Sequence, residues 1–263
     1  MVPYVLRAPQ GLFTVPSVSS HSEEAKPPAH RGRSGAAQSR ARISTGLPRL
    51  DPILGGFKAG TVSLIEGNHP LISEALSLLA INAVTHLEKS VVYVDGGNSI
   101  DPYLIATLAK RSGVKPAQVL QQILVARAFT AYQLDTIISD RLEAVLDQAE
   151  LGLLIVARIT DLFLDRAVAE KEALAMLSRC VARIETSTHD RALITVVTKR
   201  RRTPSSRALA FDEILAKLPE DRISVERRRK GVRLHQHTRD IIMDYVPLSI
   251  YQTTLDEFIG GGT

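Results

Sequence analysis

The chain has a single cysteine, Cys180, and no tryptophan, and aromatic residues make up only 5% of its 263 positions. One thiol excludes an internal disulfide and a cysteine-based zinc site, and makes a reducing, intracellular compartment the expectation. That means cytoplasm or nucleoid, or the nucleus if the source is eukaryotic. No apolar run reaches the ~18 residues of a membrane span, and Met1 to Val15 is too short and broken a stretch for a signal peptide. Apolar periodicity is missing between Ser17 and Arg40, where Ser, Pro, Ala, His and Arg dominate. Such a segment buries too little surface to offset its ordering entropy. Residues 1–40 are therefore expected to be a flexible basic tail, and residues 41–263 one core domain.

Positive charge is in excess, with 33 Lys and Arg against 28 Asp and Glu, a formal net of +5. That excess points to an acidic partner, nucleic acid first. From Ile43 onward, short apolar runs bounded by turn residues alternate with longer amphipathic stretches, the pattern of βα units on a parallel sheet. Strands are expected at Val62–Glu66, Val91–Asp95, Ile123–Arg127, Leu153–Ala157 and Ala192–Thr198. Helices are expected at Ile72–Leu87, Pro102–Ser112, Gln133–Ala149 and Ala167–Thr186. After Pro219 the elements shorten to strands at Arg222–Glu226, Val232–Gln236 and Ile241–Val246, with a hairpin turn at Arg229–Gly231 in which Gly supplies a positive φ.

The stretch Ile43-Ser-Thr-Gly46, Leu50-Asp51, Leu54-Gly55-Gly56 resembles the opening of RecA/RadA recombinases and KaiC-like ATPases. A second stretch narrows the resemblance. Val92-Tyr-Val-Asp95, then Pro102, Ile105, Ala109, Gly113 and Val119-Leu120, leads to Ile123-Leu-Val-Ala-Arg-Ala-Phe129 and Tyr132-Gln133, and is similar to archaeal and eukaryotic recombinases and their paralogues. The resemblance covers about residues 42–203. It implies an α/β fold: a RecA-like core with a mainly parallel central sheet flanked by helices, and smaller antiparallel strands at the carboxy-terminal end.

The same register exposes what the family's ATPase chemistry would need. A phosphate loop requires glycines whose N–H groups cradle phosphates, a Lys for the β and γ charges, and a Ser or Thr for magnesium. From Gly67 this chain reads Gly67-Asn-His-Pro-Leu-Ile-Ser73-Glu74, so Ser73 stands at the Lys position and Glu74 at the Ser/Thr position. Glu74 at a helix start is expected to put protein charge where phosphate would sit. The metal-holding Asp falls at Ala157 and the catalytic Glu at Gly97. Phosphoryl transfer depends on those charges and their positioning, so the expectation is an inactive ATPase with no catalytic residue, cofactor or metal. The remaining Gly67 and its strand–loop–helix setting keep open a residual nucleotide-binding switch.

Two cation clusters are the positive features. Lys199-Arg200-Arg201-Arg202, with Arg207 after Thr-Pro-Ser-Ser, follows a core strand at the place where the recombinases carry a mobile DNA-lining loop. Arg227-Arg228-Arg229-Lys230 with Arg233 lies on the carboxy-terminal hairpin. Dense cations are the ordinary route to phosphate affinity without base reading; solvated loops and charged hairpin tips are the plain alternative. His235 and His237 share a strand face without a third ligand at useful spacing, so no metal is expected. Asp161 and Asp165 read as exposed acids at a helix head. In the tail, Phe13-Thr-Val-Pro16 resembles the Phe-x-x-Ala by which recombinases dock onto a neighbour, with Pro replacing Ala. The expected role is a non-catalytic recombinase paralogue that binds DNA, an active recombinase, or both, with self-association as a further possibility. The alternative is a scaffolding or regulatory module that does not touch DNA.

Overall fold

The computed structural model describes residues 41–47, 51–147 and 150–247. The chain runs β1 (Arg42–Ile43), α1 (Asp51–Leu54), β2 (Phe57–Lys58), β3 (Thr61–Gly67), α2 (Leu71–His86), β4 (Ser90–Asp95), α3 (Pro102–Arg111), α4 (Pro116–Gln121) and β5 (Ile123–Arg127). It continues with α5 (Ala131–Asp135), a π-helical turn (Thr136–Arg141), α6 (Leu142–Leu146), β6 (Leu151–Ala157), α7 (Glu170–Asp190), β7 (Ile194–Lys199), α8 (Ser206–Leu215), β8 (Asp221–Arg228), β9 (Gly231–Gln236) and β10 (Ile241–Tyr245).

Eight strands form one sheet in the order β10-β9-β8-β3-β7-β6-β4-β5. The six from β8 to β5 are parallel, and β9 and β10 add antiparallel strands at one side. Central strands are buried on both faces, which is why they read as unbroken apolar runs rather than alternating ones. In β6, Leu153, Ile155 and Ala157 join the core beneath α2, α3 and α4, while Leu154 and Val156 join the core beneath α5 to α8. The motif residue Asp51 braces the entry to this domain: its carboxylate accepts bonds from the Ser44 hydroxyl (2.5 Å), the Thr45 N–H (2.6 Å) and the Thr45 hydroxyl (2.7 Å).

Most expected elements form within a residue or two of their ends; the helix expected at Ala167–Thr186 runs Glu170–Asp190 instead, α4 was not expected, and three further differences have a visible cause. The single helix expected at Gln133–Ala149 is broken by the π turn, where Asp135 holds the Ser139 hydroxyl (2.9 Å) and Arg179 (2.5 Å). The strand expected from Ala192 starts at Ile194, because Ala192 adopts a left-handed turn at φ +51. The segment after β7, read from the sequence only as a cation-bearing loop, leads into a helix. The Ser205 hydroxyl accepts the Ala208 N–H (3.2 Å) and caps α8, a helix the apolar pattern did not announce. The hairpin turn forms as expected, with Gly231 at φ +100, where a Cβ would collide with the Tyr245 carbonyl. The tail and Phe13 lie outside the described residues.

Candidate functional site

Parallel strands deliver their carboxyl ends to one edge, so segments far apart in sequence meet there. Glu66 stands beside Lys199, Gly67 beside Val225, and Asp95 between Arg127 and Ala157. The loops after β3, β4, β6 and β7 and the β8–β9 turn all emerge at this edge, which is where ligands bind in such sheets.

The loop after β3 is closed by its own residues. A side chain on Gly67 (φ +154) would collide with the Val225 carbonyl and stand 3.2 Å from Cδ1 of Ile72. Leu71 and Ile72 are buried in the core, and Pro70 occupies the cap position. Two N–H groups at the start of α2 are already used: Leu71 donates to Nδ1 of His69 (3.1 Å) and Ile72 to the His69 carbonyl (3.1 Å). Burial and the nearby charge of Arg227 both lower the pKa of His69, which favours the neutral ring that accepts this bond. Ser73 lies in the first turn of α2, its carbonyl accepting the Ser77 hydroxyl (2.8 Å). Glu74 lies in the same turn, as its position at the helix start implies. Burial pushes its pKa up, against a partial offset from Arg111, so the desolvated site disfavours its charge even there.

The loop after β4 is closed in a similar way. Asp95 is fully buried and accepts N–H bonds from Gly97 (3.2 Å), Ser99 (2.9 Å) and Ile100 (3.1 Å), with Arg127 at 3.4 Å. Arg158, which follows Ala157, adopts a left-handed backbone (φ +55), donates its N–H to the Thr198 hydroxyl (2.9 Å) and its guanidinium to the Gly97 carbonyl (2.9 Å). Its stem lies across Gly97 so closely that a Cβ there would stand 2.8 Å from the Cβ of Arg158. Sequence reasoning passed over Arg158 and His69, because neither belongs to a local pattern and each matters only through a partner on another loop.

A family model described as Rad51 matches residues 37–212. The chain belongs to the Rad51 family. A DNA repair protein RAD51 from Mycosarcoma maydis is 29% identical over 129 residues, covering 46% of this chain and 38% of that protein. The chain thus spans well under half the length of that curated relative. The Rad51 match includes the first cation cluster and ends inside α8, so the second cluster, on β8 and β9, lies beyond it.

The two clusters meet at the carboxyl edge, but most of their cations already hold carboxylates. Lys199 corrects the expectation of a loop contact: it is the last residue of β7, its side chain only 7% exposed, and it pairs with Glu66 (3.2 Å) and Asp212. Arg207 is likewise structural, donating to the Phe163 carbonyl (2.6 Å) with its guanidinium 5.8 Å from the centre of the Phe211 ring. Arg200 (3.0 Å) and Arg202 (3.2 Å) both hold Asp161, which is nearly buried rather than the exposed helix-head acid expected. Asp165 accepts the Ala167 N–H (2.9 Å) in a turn ahead of α7. Arg201 pairs with Glu226, as does Arg228 (3.0 Å), and Arg233 makes two 2.8 Å bonds to Asp244. Arg227, Arg229 and Lys230 are exposed and form no ion pair with the described residues. The clusters are joined through Glu226, which pairs with both Arg201 and Arg228, and Asn68 ties the first cluster to the loop after β3 by donating to the Arg201 carbonyl (2.7 Å). Beside them a cleft of ≈ 310 Å³ runs over the sheet, lined by Arg201, Arg228, Arg233, Glu66 and Glu226 among others.

His235 and His237 share a face as expected, their rings 4.0 Å apart. His235 meets Asp240 (2.9 Å) and His237 meets the Ser224 hydroxyl (2.5 Å). Among the described residues no group of three or more His, Cys, Asp or Glu stands together as a metal site, and no helix is long and apolar enough to cross a membrane.

Proposed function

We propose that this Rad51-family chain is a non-hydrolysing paralogue that binds DNA through backbone phosphates and assists recombination and repair, alone or beside an active recombinase. The observation that carries the reading is the convergence of two cation clusters at one sheet edge, with Arg227, Arg229 and Lys230 exposed at its rim. Exposed cations without base-reading elements favour sequence-independent contact with phosphates.

The residues present do not fit a nucleoside triphosphate with its magnesium. The N–H groups of Leu71 and Ile72 are spent on His69, Ile72 fills the space above Gly67, and Arg158 covers Gly97. With Ser73, Glu74 and Ala157 at those positions, the chain supplies neither the lysine nor the hydroxyl and aspartate on which phosphoryl transfer in this fold relies.

The test is fluorescence anisotropy of labelled single- and double-stranded DNA at several salt concentrations, with ATP turnover followed on the same preparation. Changing Arg227, Arg229 and Lys230 together to Ala is expected to flatten the salt dependence by about 0.7–0.9 in slope per residue. No phosphate release is expected. Failure to bind either DNA at low salt would remove the DNA reading and leave the scaffold reading, which the internal pairing of Arg201, Arg228 and Arg233 favours. Phosphate release that tracks the protein would overturn the non-hydrolysing assignment.

A further inference from the structure

We infer that Arg200 and Arg202 form a phosphate-binding site held in reserve by Asp161, whose carboxylate stands in for a nucleic-acid backbone phosphate until one displaces it. The inference rests on the DNA reading above and adds the control of one part of that surface. Asp161 lies in the turn after β6, its N–H bonded to the Arg158 carbonyl (3.0 Å), and its side chain is only 10% exposed. The two arginines approach it from the loop after β7, Arg200 through Nε at 3.0 Å and Arg202 through Nη2 at 3.2 Å. One carboxylate between two guanidinium groups repeats the geometry in which arginines grip a phosphate.

The grip is open to exchange from the arginine side. Oδ1 of Asp161 is buried and receives no hydrogen bond, so on that side the carboxylate is held by charge attraction alone. The arginine side chains are 41% and 44% exposed, in contrast to Lys199 at 7%. A duplex or single strand offers a run of phosphates that engages the neighbouring cations at once, which offsets the cost of leaving the nearly buried Asp161 carboxylate unpaired. Lys199 is thus fixed in the fold, while Arg200 and Arg202 are available on exchange.

The test compares Asp161→Asn with wild type for DNA affinity near physiological salt, in the native background and with Arg200→Ala and Arg202→Ala. Relief of the competition is expected to tighten binding about threefold to tenfold in the native background and not at all when the arginines are gone. No tightening, or equal tightening in both backgrounds, overturns the inference; the second result would mean that removing any negative charge suffices. Should wild type bind and Asp161→Asn gain nothing, only this inference falls. Should neither bind DNA, the DNA reading falls and takes the inference with it. A measurement on wild type alone covers a variant that folds poorly. Hydrogen exchange with added DNA is expected to slow at residues 200–204 and quicken at 159–162 as the turn loses its arginines, and no change in either segment overturns the reserve site.

Discussion

Lys199→Ala separates a fold-holding lysine from a DNA-contacting one. Lys199 ends β7 with its ammonium group between Glu66 and Asp212, and Glu66 also receives Arg222 (2.7 Å) and lies 3.2 Å from the Ser224 hydroxyl. Breaking a buried pair by removing one partner costs about 3–5 kcal/mol, because the other charge is left uncompensated in a desolvated site. Glu66 keeps Arg222, and Asp212 is 44% exposed and regains water, so the loss falls below that range. An expectation of roughly 2 kcal/mol follows from the reduced desolvation penalty, and it lowers Tm by about 4–8 °C in a domain of this size. Urea unfolding followed by circular dichroism measures the first quantity and a thermal scan the second, while anisotropy with DNA is expected to show an unchanged salt slope. An unchanged midpoint with a slope reduced by about one phosphate contact would refute the reasoning and return Lys199 to the DNA surface.

Gly67→Ala is expected to destabilise the chain by roughly 1–3 kcal/mol, the usual cost of forcing atoms into a packed site, because the new methyl meets the Val225 carbonyl at a backbone angle (φ +154) that side chains avoid; chemical denaturation gives the figure, and an unchanged midpoint would mean that β3 and β8 are not in contact there. Acid should weaken the fold through Glu66. Burial, the largest effect on its pKa, works against ionisation, but the Arg222 bond and the charges of Lys199 and Arg222 together hold the carboxyl below its ordinary 4.5. Its stabilising contribution is therefore complete above that ordinary value and is lost as pH falls through the lower folded value; Glu66→Gln should reduce stability at neutral pH and flatten the acid limb of a stability profile, and an unaltered limb would show that Glu66 titrates as it does in the unfolded chain.

Much of the architecture was legible because it is written locally. Two-sided burial makes continuous apolar strands such as Leu153–Ala157, and the glycine at the Arg229–Gly231 turn announced its own hairpin. The motif residues from Ile43 to Asp51 and from Val92 to Phe129 pointed to the fold that the Rad51 match covers. Helix α8 stayed hidden because Thr-Pro-Ser-Ser reads as open loop until Ser205 is seen capping a helix whose Phe211 and Leu215 are buried in the core.

Charge along the chain could be counted, and it located the residues worth testing: Lys199 to Arg207, Arg227 to Arg233, and the Gly67 to Glu74 loop. It could not show which cations remain available, because ion pairing is a matter of distance and the carboxylates come from elsewhere in the chain. Arg200 and Arg202 find Asp161 about 40 positions away, Arg201 finds Glu226 across the sheet, and Arg158 reaches Gly97 from the next strand but one in sequence. The sequence alone determined the strands, the excess of positive charge and the residues standing in the phosphate loop, since each depends on composition or short-range pattern. Only the tertiary structure decided that the two cation clusters share an edge, that Lys199 belongs to the core and that Asp161 holds two arginines, because parallel strand order alone brings those residues within a few ångströms.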